Sequence, residues 1–263
     1  VTIAIAPSNY EAEAKAPKAP KTIAAVGDSI TRGFNVARNQ TCFFSDCPKY
    51  SWASGSVKSV LSHATRVDRL SKTSKPKVRN FAVTGAKIAG LASQLNQAAK
   101  FKPGYTKVLI GANDVCAASI GEMTPEAEFR STVATALTEY AGKTKGLIFV
   151  SSIPNITNLR NLFLDDPNVV TFWKQFRVCQ TFLSPDLSEA DLATAQTRLN
   201  EFNLALKDAC EAVAKNRCRW DNYRLFNTET TVADVSTADY FHPSIKGQQK
   251  IAKATWASSH WSR

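Results

Sequence analysis

The stretch Ile-Ala-Ala-Val-Gly-Asp-Ser-Ile-Thr-Arg-Gly, residues 23–33, decides the fold of this chain. Its first five residues are small or β-branched and apolar, which is typical of a short strand that is covered on both faces. The strand ends at Gly27, and Ser29 follows at once in a tight turn. Open α/β sheets bind their ligands outside the carboxyl ends of the strands, and we expect Ser29 to lie there. Taken alone, Gly-Asp-Ser is also ordinary turn chemistry.

Predicted strands and helices alternate after this stretch. Short apolar runs predict further strands at residues 78–83, 105–110, 146–150 and 217–226. Apolar residues at helical spacing predict helices over residues 56–70, 88–98, 124–140, 188–213 and 243–256. This alternation predicts an α/β fold with a central five-stranded parallel sheet and helices on both faces. Thr124 and His242 are the residues expected to cap two of these helices.

The chain divides into a short tail and one predicted domain. Residues 1–20 are rich in Ala, Lys and Pro, a composition typical of a semi-rigid linker. We therefore expect the domain to occupy residues 21–263.

Charge limits the kinds of partner that suit this protein. The 263 residues carry a formal net charge of +11, so the surface attracts anions. The lysines are scattered and no nucleic-acid-binding motif accompanies them, so we expect no specific nucleic acid partner. An anionic cell-envelope surface is the partner that the charge favours, and we expect the protein to be a monomer.

Six cysteines and three histidines show no metal-ligand spacing, so we expect no metal and no cofactor. An even number of cysteines favours disulfides over buried free thiols, although sequence alone does not choose among the pairings. Local pairing suggests Cys42–Cys47 and Cys210–Cys218, which leaves Cys116 with Cys179. Such bonds predict an extracytoplasmic protein, secreted or in the cell envelope.

Polar residues or glycines follow three of the predicted strands and precede the last helix. They are Gly27-Asp28-Ser29, Thr84-Gly85, Gly111-Ala112-Asn113-Asp114 and Asp239-Tyr240-Phe241-His242. The carboxyl ends of adjacent parallel strands lie side by side, so we expect these groups to converge on one cleft.

This set of residues fits acyl transfer to a serine. A hydroxyl is a weak nucleophile until a neighbouring base takes its proton, and His242 is the natural base for Ser29. Asp239 lies three residues before His242 and would accept a hydrogen bond from Nδ1–H, which fixes the tautomer. Asp221 and Asp234 remain alternatives for this acid. The alternative role of His242 is that of a plain helix cap.

Three donors are available for the negative oxygen of a tetrahedral intermediate. They are the backbone N–H groups of Ser29 and Gly85 and the side-chain amide of Asn113. Glycine at position 85 lets the backbone approach the substrate without a Cβ. Asn113 has the alternative role of capping a turn. Asp28 and Asp114 are expected to be structural.

These four blocks, in this order, resemble the SGNH/GDSL hydrolases. Asn80 and Gly33 also fit, and the resemblance spans roughly residues 22–256. It implies a flavodoxin-like three-layer α/β/α fold. It also implies that the family's four named residues are Ser29, Gly85, Asn113 and His242, with Asp239 as the acid. The cysteines and the stretch Gly-Ala-Asn-Asp-Val-Cys resemble the exported, disulfide-containing bacterial branch, especially its actinobacterial members.

The expected function is that of a secreted serine esterase or lipase, with a lipid, aryl or acylated-sugar ester as substrate. The aromatic segment 163–182 is either the lining of an acyl pocket or part of the core. A carbohydrate O-deacetylase and an envelope acyltransferase are alternatives that use the same site. A non-enzymatic envelope-binding protein is a more distant alternative.

Overall fold

The computed structural model of the protein describes residues 16–39, 41–71 and 74–262. Most of the predicted tail, residues 1–15, therefore lies outside the described residues. The last part of that tail contacts the domain. The indole N–H of Trp261 donates a hydrogen bond to the Pro17 carbonyl at 2.8 Å, and Ala19 packs against the core.

A five-stranded, fully parallel sheet forms the middle layer, as predicted. Its strands are β1 (Thr22–Gly27), β2 (Lys77–Asn80), β3 (Tyr105–Leu109), β4 (Leu147–Val150) and β5 (Cys218–Trp220), in the order β2-β1-β3-β4-β5. The α-helices are α1 (Ser29–Arg32), α2 (His63–Leu70), α3 (Leu91–Lys100), α4 (Ala112–Val115), α5 (Glu126–Lys143), α6 (Ile156–Phe163), α7 (Pro167–Gln175), α8 (Gln180–Leu183), α9 (Glu189–Glu211) and α10 (Ile245–Trp256). Among the described residues, no helix is both long and apolar enough to cross a membrane.

Helices cover both faces of the sheet. Helices α3, α5 and α9 pack on one another and against the strands on one face. Strand β3 shows the alternation of its side chains between the two faces. Thr106 contacts Tyr140 of α5, whereas the hydroxyl of Tyr105 contacts His63 of α2 at 2.9 Å. His63 also contacts Thr255 of α10, so it is a buried packing residue. The fold is the predicted three-layer α/β/α arrangement.

The strand order reverses between β1 and β3. The chain runs from β1 to β2 on one side of β1 and then returns to β3 on the other side. Gly27, the last residue of β1, pairs with Leu109, the last residue of β3. Such a switch point opens a crevice outside the carboxyl ends of the two strands. The segments that begin with Asp28 and Ile110 therefore meet at one edge of the sheet.

Gly27 is required by the packing at this edge. Its φ is +142°, and a Cβ there would lie 2.0 Å from the Leu109 carbonyl oxygen. The side chain of Gln94 holds both backbone groups of Gly27. It accepts from the Gly27 N–H at 2.7 Å and donates to the Gly27 carbonyl at 2.9 Å. The point where the chain leaves β1 is thereby fixed.

All six cysteines form disulfides, in the three pairs that the sequence favoured. Cys42–Cys47 closes a loop after α1. Cys116–Cys179 connects the end of α4 to the start of α8, and Cys210–Cys218 connects α9 to β5. Two of the bonds therefore hold segments that border the carboxyl edge of the sheet.

Two helix starts differ from the prediction. The last helix is capped by Ser244, whose hydroxyl accepts from the Gly247 N–H at 3.2 Å. His242 is therefore not a helix cap. Pro125, not Thr124, precedes α5, and the Thr124 hydroxyl donates to Asp114 at 2.8 Å. In both cases the side chain forms a hydrogen bond to another segment of the chain instead of capping the helix.

Three elements are shorter than predicted. Strand β2 ends at Asn80 instead of residue 83, because the Asn80 Oδ1 accepts from the Ala82 N–H at 3.0 Å and bends the chain. Residues 56–62 form no helix and contain a turn at residues 58–60, and α2 begins only at His63, where Ser62 accepts from the Thr65 N–H at 3.1 Å. Strand β5 ends at Trp220 because the buried carboxylate of Asp221 accepts from the Leu225 N–H at 3.1 Å, which starts a turn.

Candidate active site

Three side chains from distant parts of the chain form one line of hydrogen bonds at the crevice. The Ser29 Oγ lies 2.9 Å from the His242 Nε2, and the His242 Nδ1 lies 2.6 Å from the Asp239 Oδ2. With the neutral tautomer that carries its proton on Nδ1, His242 donates to Asp239 and accepts from the Ser29 hydroxyl. The side chains of His242 and Asp239 are 12% and 9% exposed. This arrangement can move a proton away from Ser29.

Ser29 is placed by the first turn of α1. Asp28 is the N-cap of this helix, and its carboxylate accepts from the Ile30 N–H at 2.9 Å. Asp28 is fully buried, and burial raises its pKa to about 7. Its position explains the Gly-Asp-Ser sequence, because the aspartate shapes the turn that presents the serine.

The imidazole of His242 is held from several sides. Gln248 of α10 donates to the Ile30 carbonyl at 2.8 Å, which fixes the start of α10 against α1. The rings of Phe34 and Phe241 contact the imidazole edge-on, with centroid distances of 5.1 and 5.0 Å. The ring orientation that faces Ser29 is therefore supported by packing as well as by hydrogen bonds.

Asp239 is a buried carboxylate with four donors. Its Oδ1 accepts from the backbone N–H groups of Phe241 and His242 at 3.0 and 2.9 Å. Its Oδ2 accepts from the His242 Nδ1 and from the Asn35 amide, each at 2.6 Å. Burial alone would raise the pKa of Asp239, but the hydrogen bonds and charge of His242, with the amide of Asn35, outweigh it and lower the pKa. Asp239 is therefore ionised at neutral pH.

The two alternative acids have other partners. Asp221 accepts from the Ser152 hydroxyl at 2.8 Å, at the carboxyl ends of β4 and β5. Asp234 accepts from Thr231 and forms an ion pair with Lys250. Among the hydrogen bonds of the described residues, the only carboxylate that contacts the His242 ring is Asp239.

Asn113 and Gly85 come from neighbouring loops that contact each other. The Asn113 amide donates one hydrogen bond to the Ala86 carbonyl at 2.9 Å, and an amide has a second N–H to offer. Gly85 has a φ of +80°, and a Cβ at this position would meet nothing within 4 Å. Asp114 holds the same loop, because it accepts from the Ile88 N–H at 2.9 Å. Gly85 is therefore exposed, and the side chain of Asn113 is half-buried beside it.

Asn80 contributes to the scaffold. Its amide donates to the Thr31 carbonyl at 2.8 Å and to the Ser54 hydroxyl at 2.9 Å. These bonds fix α1 from the β2 side, which accounts for an asparagine at the end of that strand.

Asn35 is a site residue that the sequence analysis missed. Its backbone is left-handed, with φ of +51°, and its side chain is buried. While its amide donates to Asp239, its Oδ1 accepts from the Phe44 N–H at 2.6 Å. The backbone carbonyl of Asn35 accepts from the Ser236 hydroxyl. Asn35 thus connects the loop closed by Cys42–Cys47 to the carboxylate beside His242.

We expect Asn35→Ala to lower kcat about tenfold to hundredfold with little change in KM. The substitution removes a hydrogen bond to a charged group, worth about 1.5–3 kcal/mol, and frees Asp239 to leave His242. Steady-state kinetics on a soluble aryl ester measures the change.

The control for this prediction is Asn80→Ala, which removes a comparable amide without touching Asp239. It is expected to lower stability more than kcat. In an Asp239→Asn background, Asn35→Ala should have almost no further effect on kcat. Full additivity of the two substitutions would contradict the positioning role of Asn35.

A mostly apolar cavity adjoins His242. Its volume is about 90 Å³, and it lies between the start of α6, the start of α10 and the segment 225–235. The apolar side chains that line it include Ile30, Ala112, Ile156, Leu159, Leu225 and Ile251.

The aromatic segment 163–182 does not line this cavity. Phe163, Trp173 and Phe182 are buried, and Phe163 packs edge-on against Tyr240 at 6.0 Å between ring centroids. Most of the aromatic side chains of the segment therefore form core, the second of the two roles that its sequence allowed, while Phe176 is exposed.

Comparison with known proteins gives one family and several related folds. The sequence profile of the GDSL-like lipase/acylhydrolase family matches residues 23–255. No curated protein sequence is significantly similar to the chain.

Solved structures of esterases and lipases share the fold. An extracellular lipase from Streptomyces rimosus superposes with a TM-score of 0.55 at 13% identity, covering 91% of this chain and all (100%) of the lipase. The esterase EstA from Pseudoalteromonas sp. has a TM-score of 0.52 at 14% identity, covering 90% of this chain and 96% of EstA. The acetyl xylan esterase AlAXEase has a TM-score of 0.52 at 14% identity, covering 90% of this chain and 98% of that protein.

Proposed function

The chain belongs to the GDSL-like lipase/acylhydrolase family, and from this premise we propose that it is a serine esterase that forms an acyl-enzyme on Ser29. The family supports hydrolysis of ester bonds. The observation that carries the finer proposal is the hydrogen-bonded line from Ser29 through His242 to Asp239. The other parts of the proposal rest on less direct observations than these two hydrogen bonds.

We assign a catalytic role to each of the three side chains. His242 takes the proton of Ser29 as the Oγ attacks the ester carbonyl carbon, and it then gives this proton to the departing alcohol. Water attacks the acyl-enzyme in the second half-reaction, with His242 again as the base. The ionised carboxylate of Asp239 keeps the proton on Nδ1 and stabilises the imidazolium that forms in both steps.

We assign the oxyanion hole to the Ser29 and Gly85 N–H groups and the free N–H of Asn113. Asn113→Ala is expected to lower kcat about 100-fold to 1000-fold while KM changes little, because the donor acts mainly on the charge that develops in the transition state. Steady-state kinetics on a soluble aryl ester measures both constants.

Asn113→Asp is the matched control for this prediction, because it keeps the shape of the side chain and removes its N–H donors. It should be at least as impaired as the alanine variant. A loss of kcat smaller than about threefold in both variants would remove Asn113 from the oxyanion hole.

The cavity beside His242 supports binding of the acyl part of the ester. Its lining is mainly aliphatic, and burying each methylene of an acyl chain there contributes up to about 0.8 kcal/mol. An acetyl group would leave most of this lining without contact. We therefore propose esters with acyl chains longer than acetyl as the preferred substrates.

A series of acetyl, butyryl, octanoyl and palmitoyl aryl esters tests the substrate proposal, with Ser29→Ala as the blank. We expect kcat/KM for butyryl or octanoyl esters to exceed that for acetyl esters about tenfold. Leu159→Phe, which fills part of the cavity, should lower this ratio by a similar factor and leave acetyl ester hydrolysis nearly unchanged.

Leu162→Phe is the matched control, since Leu162 lies on the same helix and does not line the cavity. It should leave the ratio unchanged. Hydrolysis confined to acetyl esters would favour the O-deacetylase alternative instead. Product analysis with a competing alcohol separates hydrolysis from acyl transfer.

We also propose that the protein is exported. The three disulfides support an oxidising, extracytoplasmic compartment. The similarity of the cysteine pattern to an exported bacterial branch, especially its actinobacterial members, points to the same location.

A further inference from the structure

Four of the most exposed large apolar side chains lie on segments that hydrogen bonds or aromatic contacts connect to the active-site residues. Phe43 and Phe44 are 41% and 58% exposed, Val83 is 55% exposed and Phe176 is 54% exposed. Isolated exposed apolar residues are normal on a protein surface, but several around one cleft form an interaction surface. These four residues are called the apolar rim below.

Hydrogen bonds fix two members of the rim at the site. The Phe44 N–H donates to Asn35, which in turn donates to Asp239. The loop after β2 contacts the Cys42–Cys47 loop through Thr84, whose hydroxyl donates to Asp46 at 2.5 Å. This contact places the neighbouring residue Val83 beside the Cys42–Cys47 loop. The disulfide keeps the Phe43-Phe44 pair at the tip of a short closed loop.

Phe176 is connected to the segment that carries Asp239 through two aromatic contacts. Its ring contacts Phe172 at 4.5 Å between centroids, and Phe172 contacts Tyr240 at 5.7 Å. Tyr240 follows Asp239 directly in sequence. Phe176 therefore stands on the side of Asp239 that is formed by α7.

The rim is accompanied by exposed cations. Arg38 lies over the ring of Phe43, with its Cζ 5.7 Å from the ring centroid. Arg177 follows Phe176, and Lys87 follows Gly85 by two residues. None of these three forms an ion pair with a carboxylate in the described part of the chain. An apolar rim with free cations matches a surface that has an acyl interior and anionic head groups.

We propose that the apolar rim seats this protein on an anionic lipid surface, with the mouth of the active site facing the lipid. The purpose of this binding, the delivery of lipid esters to Ser29, rests on the proposed function. Binding itself requires no chemistry. The rim side chains enter the acyl boundary of the lipid layer, and Arg38, Lys87 and Arg177 contact its anionic head groups.

The test is co-sedimentation of the Ser29→Ala protein with vesicles, because this protein binds without hydrolysing lipid. Vesicles of equal parts phosphatidylglycerol and phosphatidylcholine are compared with vesicles of phosphatidylcholine alone. We expect the partition coefficient to be about tenfold higher on the anionic vesicles and to fall as salt is added. Adding Phe43→Ser and Phe44→Ser together should lower binding to the anionic vesicles about tenfold or more.

Leu70→Ser is the matched control. Leu70 is 46% exposed and is the last residue of α2. The chain continues from there to the amino end of β2, which lies at the edge of the sheet opposite the active site. This control should bind like the parent. The single variant Phe43→Ser, placed in the active protein, should hydrolyse a soluble butyryl ester at an unchanged rate, and the thermal unfolding of the Phe43→Ser/Phe44→Ser pair should match that of the parent.

Three results would overturn the proposal. One is equal binding to both kinds of vesicle, and another is unchanged binding after the two phenylalanine substitutions. The third is a change in oligomeric state on those substitutions without a change in vesicle binding, which would make the rim an interface between protein chains. A protein that binds vesicles through the rim but hydrolyses no ester would leave this inference standing and remove the proposed function.

Discussion

Ser29→Ala is expected to lower kcat for hydrolysis of a soluble butyryl aryl ester about 10⁶-fold, to the residual rate that substrate binding and the oxyanion hole support without the nucleophile. Without the Oγ there is no nucleophile for the acyl group, and the buried line of His242 and Asp239 has nothing to deprotonate except water. Release of the aryl alcohol measures the loss, with enzyme concentrations high enough to follow the residual rate.

The matched control is Ser151→Ala. Ser151 is also a buried serine that follows a strand at the same edge of the sheet, and its hydroxyl contacts the Ser152 carbonyl and Asp221. This variant should keep kcat within about threefold of the parent, because the group that it removes contacts neither His242 nor Ser29. A Ser29→Ala protein with a tenth of the parent activity would mean that another group is the nucleophile.

Asp239→Asn is expected to lower kcat about 10⁴-fold at neutral pH, with a folded protein and a small change in KM. The amide that replaces the carboxylate has an N–H where the His242 Nδ1 now donates. The imidazole responds by placing its proton on Nε2, and it can then no longer accept from the Ser29 hydroxyl at 2.9 Å. Steady-state kinetics and circular dichroism together measure the effect.

Asp221→Asn is the comparison variant for this second prediction. Asp221 was an alternative acid in the sequence, but its contacts are with Ser151, Ser152 and the Leu225 N–H. This variant should alter thermal stability and leave kcat per folded molecule nearly unchanged. The reverse pattern, with Asp221→Asn inactive and Asp239→Asn active, would contradict the assignment of the acid.

Much of the arrangement of the candidate site was predictable because a parallel sheet brings successive strand ends together. Ser29 and Asn113 each follow a short apolar strand, and strands of this kind are recognisable by composition. The short spacing from Asp239 to His242 allows one turn to return the carboxylate to the ring. These inferences need only local patterns and one rule of topology.

What was not predictable depends on contacts over long distances in sequence. Asn35 lies 204 residues from Asp239, and nothing in its local sequence marks it as a partner of the carboxylate. The capping roles expected of Thr124 and His242 were wrong because other contacts engage both side chains: Thr124 donates to Asp114, and His242 contacts Ser29, 213 residues away in sequence. Local propensity describes a helix end correctly only while no tertiary contact competes for the same side chain.

The ends of the elements show the same competition. Apolar residues at 57, 60 and 61 fit a helix, but the chain there turns back on itself before α2 begins at His63. The segment after Trp220 has the composition of a strand, yet the Asp221 carboxylate accepts a hydrogen bond from the Leu225 N–H and begins a turn. Side chains that bond the backbone locally determined where these elements end.

Covalent labelling with a fluorophosphonate tests the central claim most directly, because the reagent captures a serine only where a base activates it. Our account predicts one phosphonyl group per chain, located by peptide mass spectrometry on Ser29. It also predicts no labelling of Ser29→Ala and much slower labelling of Asp239→Asn. Labelling on a different residue, or an unlabelled Ser29 in a protein that still hydrolyses esters, would contradict it.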